Sequence, residues 1–261
     1  MIAVGMQDAV WEAAHAPEAW WHRALGLYGP WMLAAVWIAL VARALLQARR
    51  FRAVGVLSDR DLEALHSALR AVEAKTVGEI VPVIVERSDE HADSRWLSAL
   101  VFLLVGTAAL EPHLPWRVPA LVLLSQLALG AAGWLIARAL PGFARLFVRE
   151  SRATAVAEEQ AAQEFQRLDL RATEAATGVL IFVSLFERRA IVLADRGISE
   201  KVGPEVWQEV DDAVLRGIAR GSILAGLTDG ITRAGAVLAE HFPWREGDRN
   251  ELPDRVIVRR E

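Results

Sequence analysis

The residues of this chain whose types suit chemistry are acids placed at strand ends. Glu79 opens a predicted strand directly after Gly78, and Asp195-Arg196-Gly197 closes another. Ligands of layered α/β folds bind where strand ends meet loops. Glu79, Asp195 and Arg196 are therefore candidates for a catalytic role around a phosphate or a divalent ion. Asp211 or Asp212, in a following helix, would extend Glu79 and Asp195 into a carboxylate cluster suited to Ca²⁺ or Mg²⁺, which take oxygen ligands. The plainer reading of Glu79 and Asp195 is as surface or capping acids. A basic set, Arg145, Arg149 and Arg152, falls at i, i+4 and i+7 of a predicted helix. Beside an anionic leaflet each such arginine adds about 1 kcal/mol by meeting lipid headgroups. Pairing with Glu150 and its neighbours is the alternative.

Other chemistries lack their residues. The chain has no GxxxxGK[ST], GxGxxG, GxSxG or HExxH motif. Its six histidines, His15, His22, His66, His91, His113 and His241, are scattered, and only His15 and His22 share a plausible helical face. The absence of cysteine removes disulfides, thiol catalysis and Cys-ligated metals. A net charge of −4, with acids interleaved among the arginines, argues against a nucleic-acid partner.

The elements that must position these residues are legible in outline. Ser58 and Asp61 form a capping box, and Leu62, Leu65, Leu69 and Val72 follow with helical spacing to about Lys75. Residues 79–86 read as a strand, with Pro82 arguing for an edge position or at least one missing ladder bond. A helix is predicted over 143–170. Residues 179–186 are uniformly apolar, as a central strand covered on both faces would be. Residues 190–194 return beside it. Pro204 opens one helix, with Val206, Val210, Val214 and Ile218 inward, and a last helix buries Ile223, Leu227, Ile231, Ala234 and Leu238. Together these predict an α/β sandwich with a mixed sheet and helices on both faces.

Composition adds a second component. Hydrophobic residues make up 54% of the 261 and charged residues 24%, with a mean hydropathy of +0.26. Both values hold only if the apolar residues are gathered in blocks, and three uncharged blocks are found, at 24–42, 96–110 and 118–137. The first would span about 28 Å as a helix. Trp20, Trp21, Tyr28 and Trp31 crowd one of its ends, and Arg43, Arg49, Arg50 and Arg52 follow the other. The acids Asp8, Glu12 and Glu18 before it fit a cleavable signal poorly. The other two blocks flank a turn with Pro112 and Pro115, so they form a helical hairpin, either membrane-spanning or buried in a soluble core.

The expected organisation is an external N-terminal segment at 1–23, a first transmembrane helix at 24–46, and a soluble domain in two halves, 55–92 and 141–242. A transmembrane hairpin at 94–140 separates the halves, and a tail at 243–261 lies on the domain. Arginines concentrate before and after the hairpin, with only Arg117 in its turn. The positive-inside rule then places the N-terminus outside and the C-terminus in the cytoplasm, at a bacterial inner membrane.

Three stretches carry a family resemblance. Thr76-Val77-Gly78-Glu79-Ile80-Val81-Pro82-Val83 resembles a T-G-x-E-I-V-V-V segment. Ala162 and Phe165, with Thr177-Gly178-Val179-Leu180-Ile181, resemble A-x-x-x-F followed by N/T-G-V-L-I. Arg189 to Ile198 falls where a second hairpin strand ends in a glycine turn. These are features of the TPM-domain family, which includes a thylakoid acid phosphatase and photosystem II repair proteins. The likeness covers roughly 55–92 and 143–255 and is strongest to bacterial membrane members with a hairpin inside the domain. It departs at Asp195-Arg196-Gly197, where soluble members carry Gly-aromatic-Gly.

The resemblance implies a TPM-like fold. It also implies an accessory or regulatory role for a multi-pass membrane protein, in assembly or repair of a membrane complex with a membrane-protein partner. The alternatives are a phosphatase-like, divalent-cation-dependent hydrolase of phosphate esters and a sensor of anionic lipid.

Overall fold

The computed structural model describes residues 39, 57–111, 117–171, 173, 176–246 and 255–259. The expected segments at 1–23 and 24–46 lie outside the described residues apart from residue 39. The order is α1 (Asp59–Glu73), β1 (Glu79–Val85), α2 (Ala92–Leu110), α3 (Pro119–Ala139), α4 (Pro141–Ala144), a 3₁₀ turn (Arg145–Phe147), and α5 (Glu150–Arg167). Then come β2 (Gly178–Ser184), β3 (Arg189–Ala194), α6 (Arg196–Ser199), α7 (Pro204–Ala219), α8 (Ile223–His241) and β4 (Ile257–Arg259).

The sheet is mixed, in the order β3-β2-β1-β4. β1 runs parallel to β2 and β4, while β2 and β3 are antiparallel. Successive side chains of a strand face opposite sides, so β1 and β2 feed two cores. Ile80, Ile84, Val179, Ile181 and Val183 pack with α1, α7 and α8. Val81, Val83, Leu180 and Phe182 pack with Ala157, Ala161 and Phe165 of α5. Helices therefore cover both faces, as the unbroken apolar runs require.

Local signals explain the ends of several elements. Ser58 caps α1 and forms the reciprocal capping box with Asp61. Pro204 sits in the first turn of α7, and Ser222 caps α8 through the Ala225 N–H.

Three expectations are corrected. β1 is a central strand despite Pro82. The Glu79 N–H donates to the Thr177 carbonyl, so the odd residues of β1 bond β2 and Pro82 faces the β4 side. β4 pairs only from Val83 onward, so the missing donor removes no ladder bond. The tail is more than a surface cover, because 257–259 adds the fourth strand. The helix expected over 143–170 is broken: Val148 and Arg149 are extended, and α5 starts at Glu150. The break lets the chain leave the hairpin and turn back along the sheet.

Helices α2 and α3 are each long and apolar enough to cross a membrane. They form an antiparallel hairpin inserted in the crossover from β1 to β2. Trp96, Leu100, Leu104, Leu123, Leu124 and Leu127 are exposed along it, a surface that water would disfavour.

Candidate functional site

The structure brings Glu79 and Asp195 to one end of the sheet. Glu79 pairs with Gly178, and the Asp195 N–H donates to the Gly178 carbonyl at 2.9 Å. The two acids thus flank Gly178 from neighbouring strands, about 10 Å apart, on the face that α5 covers. The gap between them is filled. A Cβ on Gly178 would lie 2.4 Å from the Leu170 carbonyl oxygen. Both acids are buried. Asp195 caps α6, accepting from the Arg196 N–H at 2.7 Å. The Arg196 side chain turns outward and bonds Glu200 at 2.8 Å.

Asp211 and Asp212 do not join them. Asp211 lies on α7 and bonds the backbone of Val192, whose side chain belongs to the opposite face of the sheet. Val192 and Asp195 are an odd number of residues apart, so the alternation of the strand separates them. Among the described residues, no group of three or more His, Asp or Glu side chains converges as a metal-ligand set. Asp211 is nevertheless unusual. Burial pushes its carboxyl up to about 7, against the Val192 hydrogen bond, and the neighbouring charge of Asp212 adds to the rise.

The arginine face expected from residues 145, 149 and 152 is not formed, because the helix breaks between the first and second. Arg145 is buried in the 3₁₀ turn, 9% exposed. It donates to Glu150 at 2.8 Å, to the Val148 carbonyl at 3.2 Å and to the Glu187 carbonyl at 3.4 Å. Arg152 is bonded to Asp89 at 2.8 Å, and Arg149 is exposed at the start of α5. Burial raises the Asp89 carboxyl, but the Arg152 hydrogen bond and the charges of His91 and Arg152 outweigh it and hold the group below its usual range.

A buried polar cluster lies at the other end of the sheet, about 20 Å from Glu79, which is the length of a seven-residue strand. Here the chain leaves β1 for the hairpin and β2 turns into β3. Glu187, in that turn, is fully buried. Its carboxylate accepts from the Ser184 hydroxyl, from the Ser88 N–H at 3.0 Å and from His91 Nε2 at 2.6 Å. Ser88 also donates its hydroxyl to Ser184 at 3.0 Å. His91 is 2% exposed and holds a left-handed backbone, φ 47°, at the N-cap of α2. Ser94, in the first turn of α2, donates to the His91 carbonyl at 2.7 Å.

Serine, histidine and carboxylate here do not make a nucleophile. The Ser184 hydroxyl bonds the carboxylate and not the imidazole, and its side chain is fully buried. The arrangement is a clamp. One buried carboxylate holds the linker at Ser88 and the cap of α2 to the end of β2. An apolar joint completes it: Phe186 packs with Phe143, Ala137, Ala144 and Ala153. The Phe143 ring meets Phe102 of α2 edge-on at 6.0 Å and Phe147 at 5.3 Å.

No spacing marked this cluster in the sequence. Glu187 stands in a short charged turn and His91 in a polar linker, 96 residues apart. The only local hint was a polar segment compressed between a buried strand and an apolar span.

No family model matches the chain, and no curated protein matches it. Among solved structures it is similar to the BA42 protein from the psychrophilic bacterium Bizionia argentinensis, determined by NMR. The identity is 21%, over 77% of this chain and 94% of that one, with a TM-score of 0.49.

Proposed function

We propose that the chain is an integral membrane protein whose TPM-like α/β domain serves a membrane complex as an accessory or regulatory module, facing the cytoplasm of a bacterial cell. The observation carrying this reading is the joint between the two parts. The apolar hairpin emerges from within a sheet crossover and is tied to the sheet by Glu187, His91 and the Phe143–Phe186 core. A hairpin that served only as a tether would need no such joint. With a rigid joint, a force or contact on α2 and α3 reaches the sheet directly.

The experiment is affinity purification of the full chain from mild detergent against a mock sample. A membrane protein recovered in near-stoichiometric amount is expected. No partner above the mock would overturn the accessory role.

One observation favours a second reading, a phosphatase-like hydrolase using Glu79, Asp195 and Arg196 with Ca²⁺ or Mg²⁺. Glu79 and Asp195 share one end and one face of the sheet, and Asp195 Oδ2 is buried without a hydrogen-bond partner among the described residues. Phosphate-ester hydrolysis by the purified chain, stimulated by either ion and abolished by Asp195→Ala, is its expected result. Turnover unchanged by Asp195→Ala and Glu79→Ala would exclude it.

A further inference from the structure

The clamp borders a cavity of about 360 Å³ at the base of the hairpin. Its wall is strongly basic. Arg87 comes from the segment after β1, Arg95 from the first turn of α2, and Arg138 from the last turn of α3. Phe186 and Ala137 supply its apolar side, and Glu90 is its one acid.

The arginines are not equally engaged. Arg95 bonds the Glu90 carboxylate at 3.2 Å and the Glu90 carbonyl at 3.0 Å. Arg87 and Arg138 have no carboxylate partner among the described residues. Arg87 lies 5.8 Å over the Phe186 ring, and Arg138 lies 5.6 Å over Trp134. Both guanidinium groups lie over aromatic faces, and among the described residues their N–H donors have no side-chain acceptor. Planar guanidinium groups so presented suit the oxygens of a phosphate.

Position identifies the source of that phosphate. The cavity lies where both hairpin helices meet the domain, and this is where a leaflet would meet water. Trp96 lies one turn into α2 and is 68% exposed, and Trp134 lies near the end of α3 at the matching level. Tryptophan collects at the headgroup level of a bilayer. Leu146, on the 3₁₀ turn beside the cavity, is also exposed. A ligand entering from the side would thus present its phosphate to the arginines and its acyl chains to exposed leucines.

We propose that this cavity is a headgroup site for an anionic phospholipid of the domain-side leaflet, with Arg87 and Arg138 binding its phosphate. The site is distinct from the surface arginines Arg149 and Arg152. It rests on the membrane reading above and deepens it, because a bound lipid would touch Arg87 and Phe186, next to the clamp.

The test uses the full chain reconstituted into vesicles of phosphatidylcholine alone or with phosphatidylglycerol, with bound lipid read by native mass spectrometry after mild detergent release. Retention of phosphatidylglycerol over phosphatidylcholine is expected. Arg87→Gln with Arg138→Gln should weaken it roughly 25-fold, about fivefold per charge. Glu90→Gln, a change at an exposed side chain, should strengthen it about fivefold by the same reasoning. Equal retention of the two lipids, or phosphatidylglycerol binding indifferent to all three substitutions, would overturn the proposal. Inorganic phosphate competing as well as the lipid would also overturn it, by making the ligand a soluble anion. A chain that reconstitutes but shows no lipid preference defeats the headgroup site alone. A chain that fails to enter vesicles defeats the membrane reading.

Discussion

His91 Nε2 lies 2.6 Å from Glu187 Oε1, and that contact joins the cap of the first hairpin helix to the turn that ends β2. Neither side chain is accessible to a substrate, so the pair is architectural. Its effect is to make the hairpin part of the domain. The domain is cut in sequence by the hairpin but is continuous in space, because the pairing of β1 with β2, the Glu187 carboxylate on Ser88 and His91, and the Arg152–Asp89 ion pair all cross the cut.

Removing the carboxylate should loosen the joint. Glu187→Ala leaves the buried Ser184 and His91 and the half-buried Ser88 N–H without their acceptor, a loss of about 3 kcal/mol. Glu187→Gln keeps an acceptor oxygen and should lose less. Thermal unfolding in mild detergent orders the variants, and limited proteolysis should show new cleavage within 86–91 in Glu187→Ala. A wild-type midpoint for Glu187→Ala would refute the clamp.

The hairpin crossing makes a paired prediction. A Cβ on Gly133 would stand 2.7 Å from Phe102 Cβ and 2.8 Å from the Ser98 carbonyl, whereas one on Gly130 meets nothing closer than 3.9 Å. Ser98 also donates to the Gly133 carbonyl at 2.9 Å. Gly133→Val should push the helices apart and lower the thermal midpoint, while Gly130→Ala should leave it near wild type. Equal effects would contradict the close approach.

Asp211 gives the domain a pH dependence. Its carboxyl is raised from 3.8 to about 7 by burial, so the folded state holds the proton more tightly than the unfolded chain. The stability that Asp211 contributes is therefore fully present below about pH 4, falls as pH rises through the interval from about 4 to 7, and is lost above it. The full shift corresponds to about 4 kcal/mol as an order of magnitude. Asp211→Asn cannot lose a proton, so its thermal midpoint should exceed wild type at pH 8 and match it near pH 4. A variant no more stable than wild type at pH 8 would remove Asp211 as the cause.

The proposed cytoplasmic orientation rests on the arginines that precede and follow the hairpin. A reporter fused after Glu261 should be active only in a cytoplasmic form. Activity of a periplasmic reporter would reverse the topology.

The layered fold was legible because its signals are local. The capping box at Ser58, the unbroken apolar run of β2 and the proline opening α7 each specify an element with a few adjacent residues. The errors arose where distant residues decide. Pro82 is harmless only because β4 arrives from 257–259 and starts one residue later. The helix break at Val148 and Arg149 coincides with an Arg145 side chain held by Val148, Glu150 and Glu187, which no periodicity encodes. Likewise, Glu79 and Asp195 were correctly placed at strand ends, but the Leu170 carbonyl between them, and the Glu187–His91 pair 96 residues apart, are tertiary facts.

The central claim is that α2 and α3 lie in a bilayer. The chain has no cysteine, so single cysteines can be introduced cleanly for spin labelling. Labels at Leu104→Cys and Leu127→Cys, both exposed on the hairpin, are compared with one at Glu205→Cys on the domain surface in reconstituted vesicles. The two hairpin labels should collide with dissolved oxygen and be shielded from a water-soluble nickel chelate, with the reverse at Glu205→Cys. Free access of the chelate to both hairpin positions would contradict the account.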